Sequence, residues 1–551
     1  MNAINKNPSK KPGGFLSVVA ALAFIGAFCI GAGLRVPALE SRLVHGDEAN
    51  QAVKAAMLLE GKGYAYDPYE HHGPSLYYLT LPALRLGGAK TLAESEIWQY
   101  RIVTVVFGLL LILLLWPMRE ALGPWGSVWA ALFIAVSHAM TYYSRYYVQE
   151  VLLVCFTQMA FTAAWRYLRH PRLIYAVLVG CSLGLTHATK ETSILIAFSI
   201  LAGLAGALAW GRLREGDPIK TQWKRWEISH PLKHGVIVCI AALVVSLLLF
   251  SSFLTHFRGP LDSLLTYSHY WVRAEGEGAA GIHDKPWHYY LHLLLYTHRQ
   301  TGPRWSEALA LFAGIAGIIT ALRKIAVPTG RGQRDASTPN FNHHIVFFQR
   351  FLVFYTVIVM VIYSLIPYKT PWNLLVFYHG ILLLAGLGVS AIIQAGRYRI
   401  VQAALCLLLL AGLARMGQQS YQGNFIYPAD PRNPYAYAHP STALRRLVTR
   451  VDDIADISGP GRDLHINIVR PDGDYWPLPW YFRRYPRVGW WHHLPDRADA
   501  SVIIAAPELY EVLAERLRDD YLVEFHALRP GVLLHAYIRQ DLWDAFMETR
   551  Q

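Results

Sequence analysis

The chain has 551 residues and a formal net charge of +13, yet only 16% of it is charged and 54% is hydrophobic. Soluble domains carry about a quarter charged residues, so a soluble globular protein is excluded. The positive balance reads as basic loops on one side of a membrane, not as a nucleic-acid surface. The five cysteines, Cys29, Cys155, Cys181, Cys239 and Cys406, all lie inside apolar runs without CxxC or zinc-ligand spacing. They read as packing residues.

Taken in chain order, a basic tail over residues 1–14 precedes the first apolar run, 15–36. That run is too long for a signal-peptide core, so it predicts an uncleaved first span with the N-terminus cytoplasmic. Ten further spans are expected near 101–118, 126–142, 150–167, 173–188, 192–211, 234–254, 306–322, 346–366, 373–394 and 399–415. This is a mainly α, multi-pass chain of about eleven spans over 15–415. The odd count places everything from 416 to 551 outside the cell (inner) membrane. Lys and Arg are denser in the loops this topology puts inside, and Asp and Glu in those it puts outside.

Two outer loops are long, 37–100 and 255–305, and their amphipathic and aromatic segments predict interfacial helices. The inner loop 323–345 is polar and rich in Gly and Pro, the composition of a flexible linker. Beyond 416 the pattern turns soluble. "LHINIVRP" and "ASVIIAAP" predict buried strands, "PELYEVLAERLRDDY" an amphipathic helix, and "VEFHALRPGVLLHAYI" a hairpin about Arg529-Pro530-Gly531. A small α/β extracytoplasmic domain is expected there.

Chemistry-bearing residues recur at the outer ends of separate spans. "HGDEANQAVKAAMLLEGKGY" places His45, Asp47 and Glu48 at the start of a helix stopped by Gly61 and Gly63. Carboxylates in a first turn offset the helix dipole by ~0.3–1 kcal/mol, so capping and chemistry both fit the pair. "YYSRYYVQE" brings Arg145 and Glu150 to the next outer turn, and "THATKETS" brings Lys190 and Glu191 to the one after. The 255–305 loop adds Arg273, Lys285, His288 and His292, and "YSLIPYKTPWN" adds Lys369. Trp476 and Trp480 sit in "DGDYWPLPWYF". Ionisable groups beside a bilayer pair with one another or line an aqueous cavity. A carboxylate can take an acceptor's proton, a carboxylate with His can hold a divalent metal ion, and Lys or Arg can neutralise a departing phosphate. Plain alternatives fit several of them: an Arg145–Glu150 pair, a Lys190–Glu191 charge pair, snorkelling by Lys369, an interfacial aromatic anchor around His288 and His292, and a polar loop at His71-His72.

"HGDE" resembles the HPDE-type signature of the C-type glycosyltransferase superfamily, the group of the protein O-mannosyltransferases. "HHGPSLYYLTLP", "SRYYVQE", "KPWHYYL" and "YKTPWN" are similar, in the same order, to further segments of that group. With the aromatic stretch at 472–482 the pattern looks closest to the flippase-activity-associated protein family. The resemblance covers roughly 15–395 and that stretch. It implies a C-type bundle that transfers a sugar, with inversion, from a polyprenyl-phosphate donor to a glycan, lipid or protein acceptor at the outer face. Asp47 would be the general base or a carboxylate that orients the acceptor, and Glu48 and Glu150 its acidic partners. Arg145, Lys190, Lys369 and Arg273 would bind the donor phosphate. His45, Glu191, Lys285, His288, His292, Trp476 and Trp480 would be substrate or metal candidates. Gly46 stands where the group usually has proline, and Glu150 where many members have aspartate. Members differ in metal dependence, which leaves the metal open. The alternative is a non-catalytic partner or a translocator of lipid-linked sugars. No GxxxxGK[ST] motif is present, which argues against ATP-driven pumping.

Overall fold

The computed structural model describes residues 13–69, 72–226, 228, 230–275, 283–323, 339–496 and 499–550, without the side chains of 13–16, 269–275 and 339–341. Among the described residues eight helices are long and apolar enough to cross a bilayer. They are Ser17–Arg35, Ile97–Leu122, Glu150–Arg169, Ser193–Glu215, Pro231–Phe250, Asn342–Leu365, Pro371–Ala395 and Arg399–Ile426. Three shorter apolar helices, Pro124–Val136, Leu173–His187 and Ala308–Leu322, fall on the remaining apolar runs. The chain is a mainly α, multi-pass membrane protein, because in hydrocarbon only a helix satisfies its own backbone groups.

Two spans differ in detail from their hydropathy. The 126–142 run is a broken helix: Pro124–Val136 stops at Ser137, whose hydroxyl accepts from the Met140 N–H (3.2 Å) and starts His138–Ser144. The last long helix continues past 415 to Tyr421, followed by a wide turn to Ile426. Helices Ala308–Leu322 and Leu375–Ala395 approach until Gly317 abuts the backbone of Leu384 and Gly388 that of Ala313. A side chain at either glycine would meet those carbonyls, so close helix approach requires glycine there.

The first long loop folds into its own layer. Helices Gly46–Leu59 and Ser75–Leu86 enclose Ala49, Ala52, Leu76 and Tyr77, together with Tyr100 and Tyr147 from the bundle. The second long loop carries helix Gly259–Glu275.

The C-terminal part is a five-stranded sheet. Its strands are β1 (Ile466–Val469), β2 (Val488–Trp491), β3 (Val502–Ala505), β4 (Tyr521–Arg529) and β5 (Val532–Arg539), in spatial order β2-β1-β3-β5-β4. β1 pairs parallel with β2 and β3, and β5 pairs antiparallel with β3 and β4. The hairpin turns at Gly531, whose φ of +83° suits glycine. Alternate strand residues point to opposite faces. Ile466, Ile468, Val502 and Ile504 meet helices Thr442–Ile457 and Gln540–Glu548, whereas Val469 and Ile503 meet Leu513 and Leu517. Strand β2 and helix Thr442–Ile457 are additional to the elements expected from the pattern. The sheet docks on the first loop: Tyr481 OH accepts from the Val44 N–H (2.9 Å), Arg483 donates to the Ser95 carbonyl (3.0 and 3.2 Å), and Arg484 reaches Glu96 (2.5 Å).

Candidate functional site

The chain leaves the first span through a turn tied down by arginines. Arg35 is fully buried and donates to the carbonyls of Gly31, Ile134 and Ala135 and to Ser144 Oγ. Arg145 donates to the carbonyls of Arg35 (2.8 Å), Pro37 (2.6 Å) and Ala38 (3.0 Å), and lies over the Phe425 ring. Those C-terminal carbonyls have no helical partner, so the Arg145 guanidinium caps the helix end. The structure does not place it beside Glu150.

Beyond this turn, at the start of helix Gly46–Leu59, the acidic pair divides. Glu48 is completely buried. Its carboxylate accepts from Arg101 Nε (2.8 Å) and Nη2 (2.7 Å), from Arg42 Nη2 (3.2 Å) and from the N–H groups of Tyr147 (3.0 Å) and His45 (3.2 Å). Burial alone would raise its pKa. The two guanidiniums and the backbone donors outweigh that and hold the carboxyl well below its usual range. Arg42 also stacks on the Tyr142 and Tyr146 rings. Glu48 therefore joins the first helix end, the helix Gly46–Leu59 and the turn at Tyr147.

Asp47 points the other way, with its side chain 48% exposed. Among the described residues its carboxylate accepts no hydrogen bond. The nearest cationic candidate is His45 Nδ1, at 3.9 Å. That nitrogen already accepts from the Asp47 N–H (3.0 Å) as the helix cap, so the helix start is rigid. Around it lie the rings of His439 (4.9 Å from His45), Tyr146 (5.4 Å) and Trp372 (6.2 Å). Burial lowers the pKa of both His45 and His439. His439 Nε2 is 3.1 Å from Tyr142 OH, and His45 Nε2 is buried. Trp476 closes the other side, with its Cβ 3.4 Å from where a side chain on Gly46 would begin.

A second charged cluster sits at the next two helix starts. Lys190 pairs with Glu150 Oε1 and donates to Asn373 Oδ1 (3.2 Å). Glu191 Oε2 meets His72 Nδ1 (3.0 Å), so His72 joins the cluster instead of lying in a free polar loop. Among the described residues, Glu150 Oε2 and Glu191 Oε1 are buried and have no partner. Burial lowers the Lys190 pKa, but Glu150 more than reverses it. The clusters are contiguous: Trp372 faces His45 while its neighbour Asn373 meets Lys190, and Gln149 donates to Gln51 (2.9 Å), one turn beyond Asp47.

Lys369 lies just before this wall. Its ammonium donates to the carbonyls of Lys285 (3.0 Å) and Ile366, and burial pulls its pKa below the usual value, with Asp284 opposing. Lys285 contributes backbone to that clamp. His288 and His292 are exposed on the short helix beneath. Trp480 is buried edge-on against Tyr100 (5.6 Å) under the Arg483 guanidinium (4.0 Å). It packs the sheet onto the loop, while Trp476 stays half-buried. The side chain of Arg273, together with Glu70 and His71, lies outside the described residues. Among the described residues no group of three or more His, Cys, Asp or Glu is placed to hold a metal ion.

Sequence reasoning missed Arg42, Arg101, His439, Tyr146 and Trp372. Only Arg101 carried a signal, as a lone charge inside "IWQYRIVTVV".

Residues 81–256 match the family model described as dolichyl-phosphate-mannose-protein mannosyltransferase. No protein with a curated description matches in sequence. ArnT from Cupriavidus metallidurans in the apo state is 13% identical, with a TM-score of 0.58 over 96% of this chain and 98% of ArnT. Its complex with undecaprenyl phosphate aligns with a TM-score of 0.57 at 14% identity, over 97% of this chain and 99% of that one. The oligosaccharyltransferase AglB from Archaeoglobus fulgidus, in complex with an inhibitory peptide and a dolichol-phosphate, is 14% identical with a TM-score of 0.53. That alignment covers 97% of this chain and 78% of AglB. The fold is that of the C-type glycosyltransferases, as the ordered motifs led one to expect.

Proposed function

We propose that the chain transfers a sugar from a polyprenyl-phosphate donor to an acceptor at the membrane face where Asp47 lies, with inversion, and that Asp47 is the base. The observation that carries this reading is the division of the acidic pair. One carboxylate is consumed in fixing the helix start, and its neighbour is held half-exposed with no hydrogen bond to it. Support also comes from relatives of the same fold, whose structures hold undecaprenyl phosphate or dolichol-phosphate.

The step is a single displacement. An acceptor hydroxyl or amine attacks the anomeric carbon, and its proton passes to the Asp47 carboxylate. The bond from that carbon to the phosphate oxygen breaks with its electron pair, leaving polyprenyl phosphate. General-base assistance of this kind contributes ~10²–10⁴-fold. Lys369 is the better partner for the growing phosphate charge, because neutral carbonyls hold it, whereas Lys190 is neutralised by Glu150 and Arg145 caps a helix. In the apolar rim of the bilayer a preplaced cation gains strength from low dielectric.

Purified Asp47→Asn protein should fold and insert as wild type and bind donor, yet lose transfer by about 10²–10⁴-fold. Product mass spectrometry with polyprenyl-phosphate sugars checks this, and wild-type turnover by Asp47→Asn would overturn the assignment. Donor binding without product in the wild type would instead mark a translocator or partner.

A further inference from the structure

Strand β2 forms one edge of the C-terminal sheet, and its Trp490, with Tyr475, packs only partly against the core beneath helix Thr442–Ile457. Tyr475 is the aromatic hub: its ring centroid is 5.0 Å from Trp490, 6.2 Å from Trp476 and 6.4 Å from His492. Tyr475, Trp476 and Trp490 are half-buried and His492 is exposed. The turn that presents them is braced. Gly473 takes a φ of +70°, and a Cβ there would come within 3.2 Å of the His492 ring, so glycine suits both the turn and the approach of the ring. Asp472 accepts from Arg470 (2.7 and 3.1 Å) and from the Asp474 N–H (3.0 Å), and Asp474 pairs with Arg529. The Asp472 side chain remains 57% exposed.

The row runs from Trp476, against Gly46, to His492. One end is therefore adjacent to Asp47. Fixed, half-exposed rings offer flat faces of negative partial charge that suit the C–H faces of pyranose rings. The flanking carboxylates, guanidiniums and imidazole supply acceptors and donors for the hydroxyls around a sugar's rim. Resting on the transferase reading above, we infer that Tyr475, Trp476, Trp490 and His492 form a saccharide platform that guides a glycan acceptor to Asp47. The competing occupant is a peptide that adds a strand to the open edge of β2. It would use the backbone of residues 488–491 and would have no need of the rings around Tyr475.

The test uses the full chain in nanodiscs with cellohexaose, maltohexaose and chitohexaose, and a ten-residue Ser/Thr peptide, titrated by tryptophan fluorescence and calorimetry. At least one hexasaccharide should bind, and Tyr475→Ala should weaken it about tenfold, the scale of one lost aromatic contact. His492→Ala, exposed and so harmless to folding, should weaken it in the same direction. Undecaprenyl-phosphate binding should be unchanged in both. Absence of binding by every hexasaccharide, binding indifferent to both variants, or binding of the peptide alone overturns the platform. Asp47→Asn separates the two proposals. Saccharide binding kept with transfer also kept sinks the catalytic assignment only, and transfer lost with no saccharide binding in the wild type sinks the platform only.

Discussion

Two buried carboxylate sites stand at neighbouring helix starts and are finished differently. At the helix Gly46–Leu59, both Glu48 oxygens are filled by two guanidiniums and two backbone N–H groups. Where helix Glu150–Arg169 and the Lys190–Glu191 turn meet, each carboxylate has one oxygen engaged and one buried without a partner among the described residues. A buried polar atom left unpaired costs about 1–3 kcal/mol, and a protein retains that cost where a ligand can repay it. The first site is a closed bracket that holds Asp47 in place. The second leaves one buried oxygen of each carboxylate unsatisfied among the described residues.

The largest test of this contrast is Glu48→Gln. It strands Arg42 and Arg101 and turns an amide donor toward donors, so about 3–5 kcal/mol of stability should be lost. Thermal unfolding in detergent measures it. Replacing Glu48 and Arg101 together by methionine should recover part of the loss, because Arg42 is then the one guanidinium of the network left uncompensated. The same bracket sets a pH limit. The folded Glu48 carboxyl titrates well below its ordinary value of 4.5. Its contribution is therefore complete above about pH 4.5 and disappears as pH falls toward the folded value. Glu191, likewise lowered against burial by His72, adds to the same acid limb. If Glu48→Gln unfolds in acid along the wild-type curve, the bracket is not what holds the turn.

Glu150→Gln should do less to the fold. Its amide oxygen and Asn373 still accept from Lys190, so the stability cost should be about 1–3 kcal/mol. Transfer should fall by more than that loss explains, because the unpartnered oxygen is the feature replaced. A kcat/KM equal to wild type at matched folded fraction would close the second site and erase the contrast.

The architecture was legible where hydropathy decides it, since an apolar run of span length has one solution in a bilayer. The break at Ser137 was missed because a cap inside an apolar run leaves the mean hydropathy high. The acidic pair was legible as a pair but not as two roles. Glu48 and Arg101 are 53 positions apart, and no local pattern links them. His439 and Trp476 arrive from the far end of the chain, so the enclosure around Asp47 exists only after folding. The pattern located Arg145 at the right turn, but its acceptors are backbone carbonyls, which no sequence spacing records.

The smallest effect expected is at Gly46, where the resembling superfamily usually has proline. Gly46 is the first residue of its helix, a position whose N–H lacks a helical partner and that proline's fixed φ suits. The preceding residue, His45, has φ −76° and ψ 159°, the extended conformation that proline enforces on its predecessor. Among the described residues the only atom near a new Cβ is Trp476 Cβ at 3.4 Å, an ordinary contact. Gly46→Pro should thus raise stability by about 0.4–1 kcal/mol, through the unfolded chain, and leave Asp47 where it is. A melting temperature that rises with transfer unchanged keeps the bracket rigid and local. If transfer falls while stability rises, glycine at this position serves the half-exposed carboxylate, and the helix start needs freedom that the closed network at Glu48 does not reveal.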